Sequence, residues 1–239
     1  RIRWMTSRIA VFASGSGTNL QAILDYLHAL GDKRAGDVVV IASDRADAGA
    51  LDRARRAGIE AAVLHSKRNP DGCEALTLLK THRVDFLALA GYLRLVDADV
   101  LAELPSRVVN VHPALLPAFG GPGMYGERVH RAGLASGASV SGATVHYVES
   151  EYDTGTILAQ WPVPVLADDT AASLATRVLK VEHVLYPRVV NAVASALWRF
   201  DSRPRAVPDG AFNSLMKWDE KKLAAEIDSA FGFPPLPNR

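Results

Sequence analysis

The strongest constraint on this chain is a rhythm. Short apolar runs at residues 8–13, 37–42, 61–65, 84–90 and 107–111 read as strands, and helical patterns stand between them. Leu20, Ile23, Leu24 and Leu27 fall at helical spacing behind a start at Thr18 and Asn19. Residues 48–57 form a second helix stopped by Gly58, residues 74–82 a third, and a short fourth begins at Ala98. Consecutive strands separated by helices pair in parallel through right-handed crossovers. The fold class implied is α/β: an open, twisted, mostly parallel sheet with helices on both faces. Beyond the fifth strand the pattern changes. Residues 139–148 and 157–165 read as two consecutive strands, antiparallel to each other, and a long helix follows from about 170 to 200.

From Arg203 onward the composition turns Pro-rich, broken by a short amphipathic helix at 218–227. The expected organisation is a catalytic domain at 8–200, a short leader at 1–7 and a C-terminal extension at 201–239 that is an appendage rather than a domain. A chain of 239 residues with 49% hydrophobic content has enough apolar mass for one large core. Its formal charge of +1 comes from scattered Lys and Arg, so no nucleic-acid or membrane partner is expected; small molecules are, with a monomer or homodimer as the assembly. The single cysteine, Cys73, excludes an internal disulfide and a cysteine-rich zinc site. No apolar run approaches the roughly 20 residues of a membrane helix. The expected compartment is the cytoplasm, or an organelle if a longer targeting peptide once preceded the basic leader.

Open α/β sheets place their chemistry at the C-terminal ends of strands. Two such ends stand out. The first strand opens onto Ser14-Gly-Ser-Gly-Thr-Asn, where glycines leave backbone amides free and a helix N-terminus adds unpaired donors. That suits a phosphate. Leu20 stands where a dinucleotide fingerprint has its third glycine, and the lysine of a P-loop is missing, so a ligand smaller than a dinucleotide fits better. A glycine turn without a ligand is the alternative. The fifth strand ends in Asn110 and His112 before a Pro/Gly-rich loop, and Asp153 follows the next β-rich run closely enough to return to His112. On spacing alone these three also fit ordinary turns. With no Ser or Cys placed as nucleophile and no metal-ligand spacing around His112, the chemistry left is acid–base work and charge stabilisation, as in group transfer through a tetrahedral intermediate. No metal is expected. A third strand end, residues 91–96, is an apolar turn with one arginine, either the wall of a site for a flat heterocycle or a core-lining turn with Arg94 reaching solvent.

These stretches resemble the folate-dependent formyltransferases over roughly residues 9–190, in the right order. The resemblance rests on Ala13–Gln21, Leu89–Leu95, Val109–Pro117 with its Asn-x-His-Pro-x-Leu-Leu-Pro run, Gly142–Val148, and Tyr152–Gln160 with its Asp-x-Gly. The Gly-Ser-Gly-Thr-Asn loop points, within that family, to the branch acting on glycinamide ribonucleotide. The resemblance implies formyl transfer from 10-formyltetrahydrofolate, a co-substrate, to the amine of 5′-phosphoribosylglycinamide in purine synthesis. It implies Asn110, His112 and Asp153 as catalytic residues, with His112 protonated and Asp153 holding it charged. Gly17, Thr18 and Asn19 would hold the phosphate and Glu182 the ribose hydroxyls. Arg68, Leu93, Arg94, Leu95, Val96, Asn110, Glu149, Ser150, Glu151, Tyr152 and Asp153 would frame the folate. Thr144 and His146 would support Asp153 or a water beside it.

Other readings share parts of this pattern. A formyltetrahydrofolate hydrolase is expected to add an N-terminal regulatory domain, and a tRNA formyltransferase a basic C-terminal domain; sugar-nucleotide members usually lack the glycine loop. A non-catalytic phosphate-binding module would keep the loop and have no use for Asn, His and Asp.

Overall fold

Apolar runs of Val, Ile, Leu and Ala too uniform to alternate suit strands covered on both faces, and they form the centre of the sheet. The computed structural model describes residues 6–65, 74–195, 218–233 and 236. Seven strands, β1 (Ser7–Phe12), β2 (Gly36–Ser43), β3 (Glu60–Val63), β4 (Phe86–Leu89), β5 (Val108–His112), β6 (Val140–Tyr147) and β7 (Ile157–Pro164), make one sheet in the order β3-β2-β1-β4-β5-β6-β7. β1 pairs in parallel with β2 and β4, β2 with β3, and β4 with β5, whereas β6 and β7 are antiparallel. This is the mostly parallel α/β architecture that the alternation of strand and helix implies.

The chain divides into two compact units, Arg1–Asn110 with Val190–Arg199, and Val111–Val189 with Phe200–Arg239. In the first unit the helices are α1 (Thr18–Leu30), α2 (Gly49–Arg56), α3 (Glu74–Thr81) and α4 (Ala98–Glu103). The chain runs outward from β1 to β3, then crosses back to β4 on the other side of β1. Right-handed crossovers in opposite directions put α1 and α2 on one face and α3 and α4 on the other. α1 packs with α2, and α3 with α4. Ile9, Ala10, Val11 and Phe12 are buried between these layers. Where the strand order reverses, Ala13–Ser14 leave β1 beside Ala90–Gly91 leaving β4, joined by a Ser14 N–H to Gly91 carbonyl bond of 3.0 Å.

Among the described residues the second unit holds the β6–β7 hairpin, α5 (Glu127–Ala135), α6 (Ala171–Ala194) as far as Val189, and α7 (Leu223–Phe231). α5 lies within the stretch between β5 and β6 where the sequence predicts only a Pro/Gly-rich loop. It is short, follows four glycines and contains another, Gly133, so its periodic signal is weak. α6 opens with a reciprocal cap. Ser173 N–H donates to Thr170 Oγ1 at 3.1 Å and Thr170 N–H to Ser173 Oγ at 3.0 Å. Its buried stripe is Leu174, Val178, Val181, Leu185 and Val189. The helix ends at Ala194, short of the expected residue 200; residues 196–200 lie outside the described residues. No helix among the described residues is long and apolar enough to cross a membrane.

The tail, read as an appendage, contributes packed structure. α7 begins later than expected, at Leu223, and stops at Gly232, whose φ of 67° is the left-handed conformation that glycine takes without strain. Asp228 binds Arg188 of α6 through both carboxylate oxygens, Glu220 meets Lys180 at 2.6 Å, and Phe231 lies 6.3 Å from the buried Trp161 ring. Ile227 is fully buried. An Ile227→Ala variant is expected to lose roughly 2–5 kcal/mol of stability, read as a lower urea midpoint. A midpoint equal to that of the parent chain would mean that the tail packs loosely.

Candidate active site

The glycine loop belongs to the first unit. Gly17 caps α1 in the left-handed conformation (φ 75°), and no side chain caps the amides that follow it. The first N–H groups of a helix have no intrahelical acceptor and lie at the positive end of its dipole. A side chain at Gly17 would place Cβ 2.8 Å from Ala50 Cα, so glycine is required by both conformation and contact. The buried Ser14 hydroxyl donates to Asp44 Oδ1 at 2.6 Å and accepts the Leu93 N–H at 3.0 Å. It ties the loop to the segment 93–96, where Leu93 and Leu95 are exposed and Arg94 and Val96 half-buried. Exposed leucines at a strand end offer an apolar surface to a ring. Arg68 lies outside the described residues.

The acid–base cluster belongs to the second unit. His112, at the end of β5, is two residues beyond Asn110, and the pleat turns both to one face of the strand. Asp153 sits in the turn between β6 and β7 with φ 59°, a left-handed conformation uncommon outside glycine. His112 Nδ1 lies 3.5 Å from Asp153 Oδ2, and His146 Nε2 lies 3.6 Å from Asp153 Oδ1. Each ring is oriented by a backbone carbonyl. His112 Nε2–H donates to Phe119 at 2.9 Å, and His146 Nδ1–H donates to Tyr147 at 2.7 Å. The Gly121 N–H donates to Asp153 Oδ2 at 2.9 Å. The glycine-rich loop after β5 thus grips both His112 and Asp153.

The family resemblance implies that Asp153 holds His112 charged; burial works against that. Burial lowers the pKa of His112 below the ordinary imidazole value, more than Asp153 and the Phe119 carbonyl raise it. His146 is lowered for the same reason. With their N–H groups committed to carbonyls, both neutral rings turn a basic nitrogen to the one carboxylate. A proton delivered to Asp153 therefore meets two acceptors within 3.6 Å. Such a cluster is arranged to take up a proton and pass it on.

Thr144 does not serve Asp153 either. Its hydroxyl donates to the Ala114 carbonyl at 2.6 Å and accepts the Leu116 N–H at 3.0 Å and Gln160 Nε2–H at 2.9 Å. Gln160 also donates to the Leu116 carbonyl at 2.9 Å. The pair stands opposite in the β6–β7 register and fixes the backbone just after His112. Glu149, Ser150, Glu151 and Tyr152 are exposed in the turn before Asp153, open to a ligand. Glu182 is buried on α6, beside Val181 in the core stripe, rather than on an open face. Sequence reasoning missed Gln160, the Phe119 carbonyl, the Gly121 amide and His130. Gln160 is legible as a polar residue inside an apolar strand opposite Thr144; the backbone groups leave no mark in a sequence. His130, on the unforeseen α5, is buried with no partner for Nδ1 among the described residues, and burial together with the charge of His112 lowers its pKa.

Three lowered histidines make a pH prediction. Each folded pKa lies below the unfolded value of about 6.5, so below that pH the unfolded chain binds protons that the folded chain refuses. Stability is fully present above pH ~6.5 and is lost as pH falls toward the folded values, by up to ~1.4 kcal/mol per pH unit for each histidine. Urea midpoints between pH 7 and 5 should fall accordingly. A flat profile across that window would count against the buried neutral cluster.

A mostly parallel sheet with a glycine loop after β1 is of the doubly wound class, and the His112–Asp153–His146 cluster beyond β5 suits group transfer. Residues 7–190 match the model of the formyl transferase family. The chain belongs to the formyl transferase family. It is 46% identical over 205 residues to the chloroplastic phosphoribosylglycinamide formyltransferase of Arabidopsis thaliana, covering 82% of this chain and 69% of that protein. It is 44% identical to the chloroplastic phosphoribosylglycinamide formyltransferase of Vigna unguiculata, covering 82% of this chain and 64% of that protein. Among solved structures, glycinamide ribonucleotide transformylase 1 of Symbiobacterium toebii superposes with a TM-score of 0.74 at 42% identity, covering 83% of this chain and 92% of that one.

Proposed function

We propose that this chain transfers the formyl group of 10-formyltetrahydrofolate to the amine of 5′-phosphoribosylglycinamide, a step of purine (IMP) biosynthesis. The observation that carries the reading is the buried His112–Asp153–His146 cluster, fixed by backbone groups and preceded on β5 by the Asn110 amide. The relatives named for phosphoribosylglycinamide support the acceptor, and so does a glycine loop fitted to a monophosphate.

In this reading the amine attacks the formyl carbon, and negative charge gathers on the formyl oxygen. Asn110 Nδ2–H donates to it, and the positive charge that His112 gains as it shares the transferred proton stands beside it; a preorganised donor and charge outweigh water, which must reorient to do the same. The proton lost by the amine is taken by Asp153, directly or through a water, with His112 and His146 sharing the charge. It is then given to the folate nitrogen as the formyl–nitrogen bond breaks, so the products are the formamide and tetrahydrofolate. Gly17, Thr18 and Asn19 hold the phosphate, and Glu182 meets the ribose hydroxyls. Arg68, Leu93–Val96 and Glu149–Asp153 frame the folate. Residues 8–200 form the catalytic domain, with 201–239 an extension braced against it by α7. The chloroplastic relatives favour an organelle over the cytoplasm as its compartment.

The test is a spectrophotometric assay of folate product from 10-formyl-5,8-dideazafolate, with and without glycinamide ribonucleotide. Turnover that requires the ribonucleotide is expected. Turnover with water alone would make this a hydrolase, and folate binding without turnover would point to another acceptor.

A further inference from the structure

α2 meets the glycine loop end-on. The Ala50 N–H donates to the Gly15 carbonyl at 3.1 Å, and a Cβ on Gly49 would sit 3.2 Å from the Ser16 carbonyl oxygen. One turn along α2, Arg53 extends across this contact. Its Cδ lies against Gly17, 3.2 Å from where a Cβ would stand. Its Nε–H donates to the Ser16 carbonyl at 2.8 Å and an Nη1–H to Gln21 Oε1 at 3.0 Å. Gln21 in turn donates through Nε2 to Asp25 Oδ1 at 2.9 Å, so a chain of polar contacts runs from α2 through the guanidinium to α1.

Two consequences follow from elementary chemistry. In a trans peptide the C=O and N–H point in opposite directions. An arginine that pins the Ser16 carbonyl therefore turns the Gly17 N–H away from α2. The guanidinium is also a permanent cation, and among the described residues none of its contacts is a carboxylate. Asp52, its neighbour on α2, pairs with Arg55 instead. A half-buried cation bound among the described residues to neutral acceptors, behind the Gly17 amide, is suited to a dianion.

We propose that Arg53 is a positioning residue for the phosphate loop: it fixes the Ser16–Gly17 peptide so that its amide faces the ligand, and it supplies the loop's uncompensated positive charge. It sets affinity for the phosphorylated acceptor and leaves the folate side alone. The inference rests on the function proposed above for the loop, and it extends that function to a residue outside the glycine motif.

The experiment compares the full chain with its Arg53→Gln and Arg53→Lys variants, in steady-state turnover and in calorimetric binding of ribose 5-phosphate and of ribose. Arg53→Gln is expected to raise KM for glycinamide ribonucleotide and Kd for ribose 5-phosphate by ~10- to 100-fold, the loss of a charge-assisted contact. KM for the folate donor and binding of ribose should stay within about twofold. Arg53→Lys keeps the charge without the planar fork and should recover part of the loss. An unchanged KM and Kd in Arg53→Gln overturns the proposal. So does an equal loss for phosphorylated and unphosphorylated ligands and for folate, which is what a merely structural role would give. Should Arg53→Gln fail to fold, the Lys variant carries the same comparison, and parent-like ribose 5-phosphate affinity there overturns the bidentate role. Failure of the functional reading is separable: the parent chain would then turn over without the ribonucleotide, whereas the ribose 5-phosphate comparison tests Arg53 regardless of the reaction.

Discussion

Asp153→Asn lowers turnover by about 10²- to 10⁴-fold with little change in either KM, the range that removal of a positioned acid–base group produces. The size follows from what the carboxylate touches. It is the only group that faces both His112 Nδ1 and His146 Nε2 among the contacts described, and those nitrogens are basic because each ring gives its N–H to a carbonyl. An asparagine keeps an oxygen for the Gly121 N–H, and its amide can donate to one of the two rings. The local fold is therefore preserved, and the variant should unfold at a midpoint no lower than the parent. What asparagine lacks is the capacity to accept a proton. His112→Ala removes one of the two proton partners of Asp153 and the positive charge it would bring to the oxyanion, and its loss should be of similar order. The two losses should be less than additive in the double variant, since both residues act in one proton relay. Single-turnover kinetics separate chemistry from product release. An Asp153→Asn rate within about tenfold of the parent would remove the carboxylate from the mechanism.

The sheet was legible because its message is redundant. Each of the five strand runs from β1 to β5 repeats the same apolar composition, and a strand–helix alternation has few topologies open to it. The places of Gly17 before α1 and of Asn110 and His112 on β5 were legible for a related reason: each follows from an apolar strand run that is plain in the sequence. Other features depend on contacts that no local pattern encodes. α5 was hidden by glycines and its short length. The balance at His112 is not legible because a sequence shows the attraction of Asp153 but not the burial that opposes it. The partners of Thr144 are not legible because the hairpin register, which sets it against Gln160, is decided by the turn and by the bulge between Val145 and His146. The tail was undervalued because Arg188 and Asp228 are 40 residues apart in sequence, a pairing no periodicity reveals.

The second large effect is expected at a residue with no side chain. Gly155→Ala should destabilise the fold by more than ~4 kcal/mol, beyond what an ordinary substitution costs. A Cβ at this position would stand 1.8 Å from the Tyr147 carbonyl oxygen and 2.7 Å from its carbon, so the backbone itself must yield. That backbone is doubly engaged. The Tyr147 N–H donates to the Thr156 carbonyl at 2.9 Å, closing the β6–β7 turn, and the Tyr147 carbonyl accepts the His146 Nδ1–H. Gly155 also follows Asp153, held at φ 59°, by two residues. A displacement of Tyr147 therefore moves His146 away from Asp153 while the turn that presents the carboxylate opens. The glycine of the Asp-Thr-Gly run is thus required by close approach, and the same approach fixes the proton relay. The contrast with Asp153→Asn is diagnostic: that variant should lose rate and keep its unfolding midpoint, whereas Gly155→Ala should lose both together. A Gly155→Ala chain with parent-like stability and turnover would mean that the β6–β7 turn is looser than its contacts imply, and that Asp153 is positioned by the Gly121 amide instead.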